Sequence, residues 1–214
     1  MDTKVIIGVV FLLLLSVAFM ASRLRNGTQN DAQSKKEIKL NKQIDNKNMA
    51  NSKKAYIAGG CFWGMEDLFR KQKGVLDTEV GYIGGENENP TYDHHPGHAE
   101  GIEITYDTTE TNFKEILDYF FRIHNPTTVD QQGNDIGSSY RSAIFYQNEE
   151  EKQTAEEVID IVNQSNRWDG KVVTTLEPYT KFWPAEEYHQ DYLVKNPNGY
   201  TCHFERFGTF LDKE

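Results

Sequence analysis

From residue 54 onward, hydrophobic side chains recur in short alternating runs and in three-and-four spacings, the signatures of strands and helices sharing a core. Residues 54–58 read as a short strand and 62–72 as a helix, with Met65, Leu68 and Phe69 along one stripe. Residues 75–82 and 99–106 read as strands, the second alternating through Ile102, Ile104 and Tyr106. Thr111 is placed to cap a helix whose apolar face is Phe113, Ile116, Leu117 and Phe120, and Asn125-Pro126 ends it. Residues 140–146 read as a further strand. The order β-α-β-β-α-β predicts an α+β fold with the split arrangement of ferredoxin-like proteins, an antiparallel or mixed sheet with helices packed on it. A helix over 149–163, a strand over 172–176, a helix opening at Pro184 and a long irregular C-terminal segment are expected to decorate that core.

Before residue 53 the pattern is different. Residues 5–21, VIIGVVFLLLLSVAFMA, carry no charge; as a helix they would span about 25 Å at about 1.5 Å per residue, slightly short of a bilayer core. The run predicts a membrane-targeting segment, retained as an anchor because Phe19-Met20-Ala21 fits a cleavage site poorly. Arg23 and Arg25 would hold the C-terminal side of the run in the cytoplasm, export being the other reading. Residues 22–52 are rich in Asn, Gln, Lys and Ser and show no periodicity, which predicts a flexible polar tether. The expected organisation is therefore 1–21 as membrane segment, 22–52 as tether and 53–214 as the folded domain, tethered to a membrane or exported.

Composition narrows the function. The 214 residues are 37% hydrophobic and 12% aromatic, ordinary for one globular enzyme domain. The formal charge of −10 is uneven: residues 22–52 carry seven Lys/Arg against three Asp/Glu, a net of +4, which leaves −14 from Lys53 onward. A surface of that sign argues against nucleic acid as a partner. The only two cysteines, Cys61 and Cys202, exclude a disulfide-rich scaffold. They leave open one long-range bridge, two buried thiols or a catalytic pair.

The sharpest local signal is Gly59-Gly60-Cys61-Phe62-Trp63-Gly64. Two glycines allow a tight exit from a strand, and the cysteine falls in the first turn of a helix. Unpaired N–H groups and the positive end of the helix dipole favour a thiolate there, so Cys61 is expected to be an activated nucleophile, the alternative being a buried structural cysteine. Glu100 shares strand parity with Ile102, Ile104 and Tyr106. If that face is buried, its carboxyl group is desolvated and stays protonated near neutrality, as a general acid requires; otherwise it is a strand-end glutamate facing solvent.

GCFWGMEDLFR at 60–70 resembles the signature of the peptide methionine sulfoxide reductase A family, and GYIGG at 81–85, NPTY at 89–92, GHAE at 97–100, GNDIGSSYRSAIFY at 133–146 and FWPAEEYHQDYL at 182–193 come in the same order. The resemblance covers nearly all of 54–204 and implies a thiol-dependent oxidoreductase that repairs methionine-S-sulfoxide, in proteins and as the free amino acid. It implies Cys61 as the nucleophile that becomes a sulfenic acid, Glu100 as the proton donor and Cys202 as the resolving thiol. It further implies Tyr92 and Tyr140 as hydroxyls that bind the sulfoxide oxygen, Asp135 as the residue ordering the polar side of the pocket, and Phe62 and Trp63 as an aromatic wall for the S-methyl group. His189 would support the site. The implied reductant is thioredoxin or a similar dithiol protein, with no bound cofactor and no metal, and the chain is expected to act as a monomer. A metal site built from His94, His95, His98, Cys61, Cys202 and His203 is the rival reading, and it lacks C-x-x-C spacing. Two other classes stay open: a cysteine hydrolase or acyltransferase using His189, which has no need of Cys202, and a tethered binding module stapled by a Cys61–Cys202 disulfide.

Overall fold

Side-chain alternation sets the register of the sheet that organises residues 50–211, the part of the chain described by this computed structural model. Strand β1 (Ser52–Gly59) runs antiparallel to β3 (Ala99–Asp107) on one side and to β6 (Ser142–Tyr146) on the other, and β3 is antiparallel to β2 (Val75–Ile83). Helix α1 (Phe62–Phe69) links β1 to β2, and α2 (Phe113–Ile123) leads from β3 towards β6. The inner order β6-β1-β3-β2 is the expected split β-α-β arrangement. Between α2 and β6 lie a short hairpin, β4 (Gln131–Gln132) and β5 (Asp135–Ile136), and a 3-10 turn, Ser138–Tyr140.

After β6 come α3 (Glu149–Ser165), β7 (Thr175–Pro178), β8 (Phe182–Pro184) and the single-turn α4 (Tyr192–Lys195). Strand β7 joins β6 in parallel and β8 joins β2 antiparallel, so the sheet has six strands and is mixed. Two sequence expectations need correction. Pro184 ends an edge strand opposite Gly81 rather than opening a helix, because an edge position makes no use of the N–H that proline lacks. The cap of α2 is Asn112, whose side chain accepts from the Glu115 N–H at 3.0 Å; Thr111 instead donates its hydroxyl to the Glu115 carboxylate at 2.9 Å.

One face of the sheet, through Ile57, Ile102, Ile104 and Ile144, packs under Leu117, Phe120 and Val158 of the helices. The opposite face buries Tyr56, Ala58, Ile83, Ala143 and Phe145 against Phe182. Adjacent residues such as Tyr56 and Ile57 therefore enter different cores, as the two-residue period requires. The strand ends that leave this double layer, Gly59 on β1 and Glu100 on β3, meet at the start of α1.

The membrane tether inferred from the N-terminal sequence is corrected. Among the described residues no helix is long and apolar enough to cross a membrane; the run at 5–21 and all but the last three residues of the 22–52 tether lie outside the described residues, and Ser52 already belongs to β1.

Candidate active site

Gly60 makes the turn from β1 into α1 with φ +103°, and a Cβ there would fall 2.4 Å from Cγ of the buried Gln132. Only glycine fits that backbone and that space. The turn delivers Cys61 to the N-cap position of α1, 5% exposed and without a disulfide. Glu100 is 3% exposed, and its Oε2 accepts from the Phe62 N–H at 3.1 Å. A carboxyl group thus occupies the orphan-donor end of the helix, one residue from the cysteine.

Burial decides the protonation of both groups. Burial lifts Glu100 from its usual value near 4.5 to about 8, with the Phe62 N–H pulling the other way and the Asp135 charge adding to the rise. Burial likewise pushes the Cys61 thiol up, the Glu100 charge adds to that, and a hydrogen bond from the Trp63 backbone only partly opposes it. The thiolate expected from the helix dipole alone is therefore not the resting form: desolvation outweighs the dipole. What the site stores is a neutral thiol beside a neutral acid.

The remaining residues singled out in the sequence converge here. Tyr140 and Tyr92 both have their hydroxyls pushed up by burial and by the Glu100 charge, so both are neutral donors at ordinary pH. Asp135 accepts from the Tyr200 hydroxyl at 3.1 Å, and Cys202, half-buried, feels both Asp135 and the Cys61 backbone. Phe62 is buried and Trp63 half-buried; the Trp63 ring stacks on Tyr192 at 3.8 Å between centroids and its Nε1–H donates to His189 Nδ1 at 3.0 Å. His189 is therefore engaged with Trp63, and its ring also lies 5.1 Å from Phe62 and 4.6 Å from Tyr92. The histidine-rich loop serves its own structure: His95 contacts the Thr91 carbonyl and Ser139, and His98 the Asn87 carbonyl. Among the described residues no group of three His, Cys, Asp or Glu converges to hold a metal.

Several contributors were not legible in the sequence. Tyr82, fully buried and opposite Glu100 on β2, donates its hydroxyl to Glu186 Oε2 at 2.9 Å, and Glu186 Oε1 accepts from the Tyr92 N–H at 3.0 Å. One carboxylate thus ties the Tyr92 loop to the sheet, and those two donors hold it ionised below its usual range although burial alone would raise it. Glu186→Ala should strand the Tyr82 hydroxyl and lower stability by about 1–3 kcal/mol. In urea unfolding, Tyr82→Phe added to that variant should recover part of the loss; full additivity of the two substitutions would sink the pairing. Glu66, only 2% exposed, accepts from the Asp191 N–H at 2.9 Å, and Arg70 pairs with the Asp191 side chain, so α1 holds the segment that carries His189 and Tyr192.

Comparison with known proteins agrees with this geometry. The family model for peptide methionine sulfoxide reductase matches residues 53–210. A peptide methionine sulfoxide reductase of type A from Nocardia farcinica is 57% identical over 158 residues, 74% of this chain and 93% of the relative. The crystal structure of reduced Mxr1 from Saccharomyces cerevisiae superposes with a TM-score of 0.69 at 36% identity, covering 74% of this chain and 94% of that one. Mxr1 in complex with Trx2 superposes with a TM-score of 0.52 at 27% identity, covering 74% and 92%. A cysteine at a helix N-terminus beside a protonated carboxyl group, in a chain matched along nearly its whole described length, identifies a member of the peptide methionine sulfoxide reductase family, type A, oxidoreductases that return methionine sulfoxide to methionine.

Proposed function

We propose that this chain reduces methionine-S-sulfoxide, in proteins and as the free amino acid, through a Cys61 sulfenic acid that Cys202 resolves and a thioredoxin-type dithiol recycles. The observation that carries the reading is the adjacency of Cys61 to Glu100 through the Phe62 N–H, with burial keeping that carboxyl group protonated. In the first step Glu100 gives its proton to the sulfoxide oxygen while Cys61 Sγ attacks the sulfoxide sulfur; the oxygen is transferred to Cys61 and the thiol proton restores Glu100. Tyr92 and Tyr140 donate to the oxygen as charge develops on it, and Asp135 orders the polar rim. Preorganised donors of this kind contribute roughly 3 kcal/mol each. Phe62 and Trp63 receive the S-methyl group, whose contact with aromatic rings is worth about 0.3–1.5 kcal/mol.

The sulfenic acid then condenses with Cys202, releasing the oxygen as water and leaving a Cys61–Cys202 disulfide. With no third cysteine in the chain, that bridge is the species a dithiol protein reduces. The Trx2 complex of the yeast relative supports a thioredoxin partner. His189 paired with Trp63 speaks against the thiol-hydrolase alternative, which needs a histidine on Cys61.

The test uses the full chain with S- and R-sulfoxide peptides and either dithiothreitol or a thioredoxin system. Turnover of the S epimer alone is expected, with Cys202→Ser active on dithiothreitol but inactive on thioredoxin after one turnover. Equal thioredoxin-driven turnover by Cys202→Ser would remove Cys202 from the reaction.

A further inference from the structure

The imidazole of His203, 5% exposed, is fixed at both nitrogens. Nε2 lies 2.8 Å from the Gly59 carbonyl oxygen, which can only accept, so Nε2 carries the proton and Nδ1 presents a lone pair. Nδ1 lies 3.4 Å from Cys202 Sγ, so the thiol is the donor of that contact. The His203 N–H also donates to Thr201 Oγ1 at 3.1 Å, which sets the backbone of the pair. Glycines in the Cys61 turn make room for this seat: a Cβ on Gly64 would fall 2.6 Å from His203 Nδ1, and one on Gly60 3.3 Å from its Cε1.

We propose that His203 is the general base of the resolving step, its Nδ1 taking the Cys202 thiol proton as Cys202 Sγ attacks the sulfenic sulfur of Cys61. The inference rests on the reading of Cys202 as the resolving thiol. The S–S bond forms and the Cys61 S–O bond breaks; the Cys202 sulfur is oxidised and the sulfenic sulfur reduced. The departing oxygen takes a proton from Glu100 and leaves as water, and the imidazolium returns its proton to the Glu100 carboxylate through solvent. The base is needed because burial, reinforced by Asp135, pushes the Cys202 thiol up to about 12. The groups facing His203 are Cys202, Asp135, Arg206 and His124; burial, with Arg206 opposing a positive charge, lowers its basicity to about 4, so the lone pair stands ready throughout the neutral range. Asp135 is the competing acceptor: its Oδ2 accepts from the Tyr200 hydroxyl at 3.1 Å, and its carboxylate also hydrogen-bonds the Cys202 thiol, so His203→Gln separates the two acceptors.

The experiment mixes the reduced full chain with one equivalent of an S-sulfoxide peptide, without other reductant. It tracks methionine, free thiols and the dimedone adduct of Cys61 separately. Wild type is expected to lose two thiols per methionine, with a disulfide-forming rate independent of pH across neutrality. His203→Gln keeps a donor for the Gly59 carbonyl but has no base. It should give the same methionine burst, slow disulfide formation about 10²-fold, accumulate the dimedone-reactive form and speed up about tenfold per pH unit. Loss of one thiol only in wild type would overturn the resolver reading and the base with it. Two thiols lost, with His203→Gln resolving at the wild-type rate, would overturn the base alone. If His203→Gln loses its burst, the wild-type profile decides: a level rate supports the base, and a tenfold rise per pH unit overturns it.

Discussion

Cys61→Ser is expected to form no methionine in a single turnover, a loss of at least about 10⁴-fold of the kind seen when a covalent nucleophile is deleted. The serine hydroxyl fits the same buried N-cap position, so the fold should persist and the loss should be chemical. Cys202 is not expected to substitute, because Glu100, the proton donor of the proposed reaction, is hydrogen-bonded at the α1 N-terminus, beside Cys61. Mixing reduced protein with excess S-sulfoxide peptide separates the possibilities. Wild type should release one methionine per chain and lose two thiols, Cys202→Ser should release one and lose one, and Cys61→Ser should release none. A methionine burst from folded Cys61→Ser would place the nucleophile elsewhere.

Glu100→Gln is the second large effect, expected to slow methionine formation by about 10²–10⁴-fold while leaving peptide binding nearly unchanged. Glutamine keeps an oxygen to accept the Phe62 N–H but has no proton at that acidity to give. With the carboxyl group titrating at about 8, wild-type methionine formation should be level below that pH and decline above it as the acid is lost. Folding disfavours the ionised carboxylate, so the stability this group contributes is complete below its unfolded value near 4.5 and is lost as pH rises towards about 8. Glu66, pushed up to about 7 mainly by burial, acts in the same direction. The informative quantity is therefore the difference in Tm between Glu100→Gln and wild type, which should move in favour of the variant across that window. A difference that does not change with pH would mean that Glu100 is ionised in the folded protein at neutrality.

The local geometry around Cys61 was legible because it depends on neighbours in sequence: glycines that permit a turn, a cysteine directly after them and an apolar stripe that makes a helix. Glu100 was legible for a similar reason, since two-residue alternation put it on the same side of β3 as Ile102 and Ile104. The protonation state of Cys61 was not. A helix N-terminus and a low-dielectric pocket act in opposite directions on a thiol, and only burial in the folded protein says which prevails. Pro184 was misread because proline suits both the first turn of a helix and the end of an edge strand, and pairing with Gly81 selects the second.

Periodicities and turns spanning a few residues were enough to specify the split β-α-β core, the cysteine at the head of α1 and the acid on β3. Which side chains support them was settled only when the chain folded. Glu186 reaches Tyr92 across 94 positions, Asp191 reaches Glu66 across 125 and His203 reaches Gly59 across 144. No local period encodes contacts at such separations; they exist because β8 closes on β2 and carries the C-terminal segment back over the helix that presents Cys61.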